Sequence, residues 1–245
     1  MRIFDANVMI GKWPTNKLRF SSCTELIEQM NSHEINCALV YSSYGVKHNP
    51  TEGNYMLMEE IDDYKKMLFP CWVILPTWEI ETGRDILNDL IDNDVKAVRI
   101  FPNEHNFVID DWMCNDMFSK LESIRMPLLI NNIDISPSKI NLICQSFPNL
   151  PMILMQCEYF LNRSLYRLME LHKNLYLETS TYFIYNGIED IVKRFGASRI
   201  IFGTRMPFQE PGAALAMVRI ADISPEKKQM IFNNNLENIM SGVLL

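Results

Sequence analysis

Short runs of consecutive apolar residues recur along the chain. Between them, apolar positions fall at intervals of three and four. The runs are RIFDANVM at the start, then CALVYS (37–42), LFPCWVIL (68–75), KAVRIF (96–101), PLLIN (127–131), PMILMQ (151–156), NLYLETS (174–180) and RIIFGT (199–204). Each has the length of a strand, and a strand apolar on both sides is buried on both faces. That is the setting of a parallel strand covered by helices. The segments CTELIEQMNSH, NYMLMEEIDDYKKM, GRDILNDLIDNDV, WMCNDMFSKLESI, SKINLICQSF, NRSLYRLMELH and NGIEDIVKRF carry helical spacing. Two more, GAALAMVRIADI and SPEKKQMIFNNNLENIM, follow the last run. Eight strand–helix units predict an α/β protein, a single (β/α)8 TIM-type barrel. A doubly wound open sheet usually has fewer units, and its glycine fingerprint for a dinucleotide is missing. No linker, charge block or low-complexity segment divides the chain, which predicts one domain over 1–245. Ser136-Pro137 and Ser224-Pro225 read as N-caps with proline in the first turn. Lys227, not Glu, stands three residues after Ser224, so that cap is not a capping box.

A barrel of this kind carries its chemistry at the C-terminal ends of the strands. Side chains alternate along a strand, so Asp5, Asn7 and Met9 are expected on one face, and Arg99 with Phe101 on another. Asn131, Gln156 and Arg205 end or follow three further runs. Arg205, in IIFGTRMPF (200–208), lies just past the last apolar run, where an arginine is either an anion hook or a surface charge.

Composition narrows the partners. The formal net charge is −7 and no basic run occurs, which argues against nucleic acid and against an anionic membrane surface. No apolar run approaches the roughly 18 residues of a membrane span, and the start MRIFDANVMIGKWP lacks the pattern of a secretory signal. The six cysteines form no Cys-x-x-Cys pair and several lie in apolar runs, so buried free thiols and a reducing cytoplasm are expected. The sixteen methionines read as core fillers. There is no Gly-x-Ser-x-Gly elbow and no phosphate-binding glycine loop.

Taken in order, DANVM, KAVRIFP, PLLIN, MILMQ, GTRMP and the closing NNNLENIM resemble the amidohydrolase superfamily. The resemblance is to the branch with aminocarboxymuconate-semialdehyde decarboxylase and the small lactonases. It covers nearly the whole chain and implies a metal-dependent hydrolase barrel. The departures are systematic. Asn7 and Met9 stand where that branch has the two histidines of Asp-x-His-x-His. Asn131 and Gln156 replace strand-end histidines, and Arg205 replaces the aspartate of Gly-Ser/Thr-Asp-x-Pro. Amide oxygens and a thioether are weak ligands for zinc and its relatives. A guanidinium repels a dication and cannot be deprotonated.

These substitutions predict a barrel with no metal in the family's site and no cofactor. Two readings follow. In the first, the chain is a non-catalytic or divergent member whose Asn7, Met9, Arg99, Asn131, Gln156 and Arg205 bind a small carboxylate or phosphate. In the second, it is a metal-independent lactone or ester hydrolase, or a lyase on a small carboxylated substrate. There Asp5, Glu158 or His105 serves as the acid or base. The bland fate of Arg205 is an internal bridge to Asp5 or Glu158. His48 is a second loop histidine, and Tyr41, Trp78, Tyr159 and Tyr182 are candidate mouth aromatics. Homodimers occur among such barrels.

Overall fold

A computed structural model describes residues 1–14 and 18–244. All strand pairs are parallel. The strands are β1 (Phe4–Ile10), β2 (Cys37–Ser42), β3 (Leu68–Pro70), β4 (Trp72–Val73), β5 (Val98–Ile100), β6 (Leu128–Asn131), β7 (Met152–Met155), β8 (Leu175–Glu178) and β9 (Ile200–Ile201). β3 and β4 are halves of one predicted run, interrupted only at Cys71. The Cys71 N–H still donates to the Val40 carbonyl at 2.8 Å, and Trp72 N–H then donates to Ala97 at 3.1 Å. The chain thus crosses from the β1-β2-β3 sheet to the β4-to-β9 sheet without leaving the wall. At the other seam, Ala6 N–H donates to Phe202 O and Met9 N–H to Met206 O, each at 2.9 Å, and Val8 bridges Met206 in parallel. Eight strand segments in sequence order, joined at both seams, make the (β/α)8 barrel that the apolar runs predict.

Alternation sorts the strand residues into two apolar layers. Val98, Ile100, Leu128, Ile130, Met152 and Leu154 pack outward with the helices. Ala97, Phe101, Leu129, Ile153, Met155 and Ile201 fill the inside. Most strands are too short to hold themselves, so both buried faces contribute to every one of them.

Helix starts are set by side-chain caps. Ser136 accepts from Lys139 N–H at 3.3 Å and Ser224 from Lys227 N–H at 3.5 Å, each with proline in the first turn. The full capping box is at Ser22 and Glu25, opening the helix Cys23–Ser32. The last helical stretch runs from Pro225 to Ser241 through a π-helical segment, Met230–Asn234. Asn235 there donates to the carbonyls of Ala197 and Ile200, both at 2.8 Å, and so fastens the closing helix to β9. Among the described residues no helix is long and apolar enough to cross a membrane.

Candidate functional site

The C-terminal ends of the strands carry a buried polar network. Arg99 in β5 is inward by alternation and fully buried. One terminal nitrogen of its guanidinium donates to Asn7 Oδ1 at 2.9 Å, the other to Asn131 Oδ1 at 2.6 Å. Its charge lies over two rings, 4.4 Å from the Tyr41 centroid and 4.9 Å from that of Phe101. Asn7 Nδ2 passes the network on, donating to Glu178 Oε2 at 3.2 Å and to Ser180 Oγ at 3.3 Å. Ser180 donates its hydroxyl to Glu178 Oε2 at 2.8 Å and its backbone N–H to Oε1 at 2.6 Å. Asn131 Nδ2 donates to Asp134 at 3.0 Å. A buried cation and a buried anion are thus joined through one amide side chain. Burial is the main force on Glu178 and raises its pKa, against the Ser180 hydrogen bonds and the Arg99 charge, which lower it.

Gly203, after β9, gives Glu178 its room. A Cβ there would stand 2.2 Å from Glu178 Oε1. The residues FGTR therefore do two things: Gly203 makes way for the carboxylate, and Thr204 holds another. The Thr204 N–H donates to Asp5 Oδ1 at 3.0 Å and its hydroxyl bonds to Asp5 Oδ2. Asn7 N–H also donates to Asp5 Oδ1 at 3.0 Å. Burial pushes Asp5 up to about 7, against these same hydrogen bonds.

The face sharing expected for Asp5, Asn7 and Met9 is corrected by a register shift in β1 between Asp5 and Val8. The bulge adds a residue and breaks the period of two. Phe4, Ala6 and Met9 lie in the inner cluster, and Asn7 reaches Arg99, while Asp5 ties β1 to the segment after β9. Gln156 is likewise displaced. Met155 occupies the inner position at the end of β7, and Gln156 follows in the left-handed region at φ 55°.

Arg205 is partly exposed and also left-handed, at φ 63°. Among the described residues it forms no ion pair with Asp5 or Glu158. Its guanidinium lies 5.7 Å from the Phe208 ring centroid, and its Nε is buried without a partner. Phe208 in turn meets Trp13 edge-on at 5.2 Å, and Lys47 lies 4.4 Å from the Trp13 ring.

The other expected residues are elsewhere. Glu158 is exposed. His105 uses Nε2 on the carbonyls of Gly45 and Val46, at 3.2 and 3.0 Å, and burial lowers its pKa. His48 is exposed. Of the aromatics, Tyr41 belongs to the network, Trp78 donates to Asp89 at 2.8 Å outside the barrel, Tyr182 donates to Asn162 at 2.9 Å, and Tyr159 is exposed. Sequence reasoning passed over Glu178 and Ser180. Yet the rule that selects Asn131, a polar residue ending an apolar run, selects Glu178 in NLYLETS as well.

Among the described residues no group of three or more His, Cys, Asp or Glu side chains is placed to hold a metal ion.

Known proteins carry the same architecture. A putative amidohydrolase from Staphylococcus aureus superposes with a TM-score of 0.79 at 16% identity, covering 98% of this chain and 100% of that one. The 5-carboxyvanillate decarboxylase of Sphingomonas paucimobilis gives 0.77 at 13%, covering 98% and 99%. A dihydroxybenzoic acid decarboxylase from Polaromonas sp. JS666, with bound manganese and the inhibitor 2-nitroresorcinol, gives 0.76 at 14%, covering 98% and 97%. At such identities these likenesses establish the fold alone. No curated protein matches in sequence. A family profile described as Amidohydrolase matches residues 46–236, most of the barrel, and the chain therefore belongs to the amidohydrolase family.

Proposed function

We propose that this barrel binds a small carboxylated molecule at its mouth, through Arg205 and without a divalent metal. The observation that carries the reading is the Arg205 guanidinium. It stands at the mouth with no ion pair among the described residues and stacks on Phe208. A free fork of this kind pairs bidentately with a carboxylate, and the Phe208 and Trp13 rings offer an apolar wall beside it.

The donor set does not fit a transition-metal dication. The amide oxygens of Asn7 and Asn131, already poor ligands, each accept from Arg99. A dication near that permanent charge is repelled by several kcal/mol at an effective dielectric of about 20. Of the network's two carboxylates, Glu178 is engaged on both oxygens by Ser180, and Asp134 accepts from Asn131.

Lyase chemistry is the second reading, and the names of two fold neighbours favour it: both are decarboxylases of carboxylated aromatics. A guanidinium that grips a carboxylate stabilises the substrate more than the departing carbon dioxide, which slows that step. In this reading Arg205 therefore anchors a group other than the carboxyl that leaves, so the substrate carries two acidic groups. The hydrolase reading has less support, because His105 is tied to carbonyls, Glu158 faces solvent and Asp5 is sealed by Thr204.

The test is melting of the purified protein with benzoate, 2-hydroxybenzoate, isophthalate, sulfate and benzamide, each titrated. Carboxylates should raise the melting temperature saturably, as binding to the native state requires, isophthalate most. Benzamide should not, and Arg205→Met should end the response. An unchanged response in Arg205→Met, or none in wild type, refutes the site. Carbon dioxide release from added dicarboxylates, followed at natural and added manganese levels, separates binding from lyase action.

A further inference from the structure

The opposite end of the barrel, away from the network, holds a cleft of about 600 Å³, within the range of small-molecule sites. Its floor is apolar: Phe4, Met58, Leu68, Phe69, Pro70 and Met240. Phe4 and Phe69 meet with centroids 5.1 Å apart and planes tilted by 42°. The start of β1, the β3 segment and the closing helix thus meet around a space left open among the described residues.

Charges stand on the rim: Arg2, Lys65 and Lys96 against Asp92, Asp94 and Glu237. Arg2 bonds Glu237 at 3.2 Å, Lys96 bonds Asp94 at 2.9 Å, and Lys65 bonds Asp62 at 2.5 Å. Three cations and three anions balance there, so the rim has no net charge to draw a charged ligand, and burying one against the apolar floor is unfavourable. The neutral polar groups on the rim offer acceptors, beside the second amide hydrogen of Asn93. Asn93 uses its Nδ2 on the Asp89 carbonyl at 2.8 Å, which leaves Oδ1 to accept. Ser241 uses its hydroxyl hydrogen on the Asn238 carbonyl at 3.1 Å, which leaves its lone pairs.

We infer that this cleft is a second binding site, independent of the mouth, for a flat uncharged aromatic molecule carrying one hydrogen-bond donor, of the phenol or indole type. The ring lies against Met58, Met240 and the phenylalanine pair, and the donor reaches Asn93 or Ser241.

The experiment uses the full chain and three probes of one size: 2-naphthol, 2-methoxynaphthalene and 2-naphthoate. Fluorescence titration should show one saturable 2-naphthol site. The methoxy compound, lacking the donor, and the anionic naphthoate should each bind at this end about tenfold more weakly or worse, a difference of about 1.4 kcal/mol. Ser241→Trp, at an exposed rim position, should obstruct 2-naphthol, and Met58→Trp should do the same from the floor. Arg205→Met should leave 2-naphthol binding unchanged while removing carboxylate binding at the mouth. The inference fails if 2-naphthol does not bind. It fails also if folded Ser241→Trp and Met58→Trp both bind as wild type does, if naphthoate binds this end as well as 2-naphthol, or if Arg205→Met abolishes 2-naphthol binding.

Discussion

Replacing Arg99 by methionine tests whether the polar layer is a single electrostatic unit. Arg99 is fully buried, and its two bonds go to Asn7 and Asn131. Hydrogen bonds from a charged donor are worth about 1.5–3 kcal/mol each. Methionine fills much of the volume but removes both bonds and the Arg99 charge that acts on Glu178. Breaking a buried pair from one side costs about 3–5 kcal/mol. In a chain of this size each kcal/mol shifts melting by roughly 2–4 °C, so a fall of roughly 6–20 °C is expected. Calorimetry, with urea unfolding to check that the slope is unchanged, measures it. The loss should also depend on pH. Burial already raises the Glu178 pKa, and Arg99 opposes that rise. Without Arg99 the folded pKa climbs further above the unfolded one, so stability is retained at low pH and lost as pH rises through it. Adding Glu178→Gln should recover part of the loss and flatten the pH profile. Strictly additive single costs, or Arg99→Met melting like wild type at pH 8, would refute the coupling.

Two further substitutions probe the same end of the barrel. Asp5, pushed up to about 7 by burial, has a folded pKa above its ordinary value, so its contribution is present below about pH 4 and is lost as pH rises through about 7; Asp5→Asn should flatten the stability profile between pH 5 and pH 8 by circular-dichroism melting, and an unchanged slope counts against it. Gly203→Ala forces a Cβ to within 2.2 Å of Glu178 Oε1, so it should cost about 1–3 kcal/mol or more by overpacking, and Glu178→Ala in the same chain should relieve most of that cost in urea unfolding.

The barrel was legible because its signal is distributed. Eight apolar runs of strand length, each followed by a helical pattern, leave few ways to bury both faces of every strand, and local errors do not change the count. Arg99 and Asn131 were legible for a related reason: a polar residue inside or at the end of an apolar run is improbable unless partners await it. Glu178 met that criterion too, but no motif directed attention to it. Two features were beyond any reading of the string. The bulge in β1 moves Asp5 out of phase with Asn7, and a period of two contains no mark of where an extra residue is inserted. The left-handed backbone at Gln156 and Arg205 follows from how the strand ends meet the following loops, since neither residue favours that region.

The pairing of charges is the deepest of the tertiary decisions. The sequence by itself supplied the strands, their order, the inward positions of Arg99 and Asn131, and the absence of histidines where the family's pattern expects them. It offered Arg205 two carboxylate partners and could not choose. The closed barrel chose neither: Asp5 is satisfied by Thr204 and Asn7, and Asn7 links Arg99 to Glu178, 171 residues away from Asn7 in the chain. Hydrogen-bond partners so distant in sequence are fixed only when ring closure brings β1, β5 and β8 around one axis. A buried ion must then bond to whatever polar groups that closure has placed within about 3 Å of it.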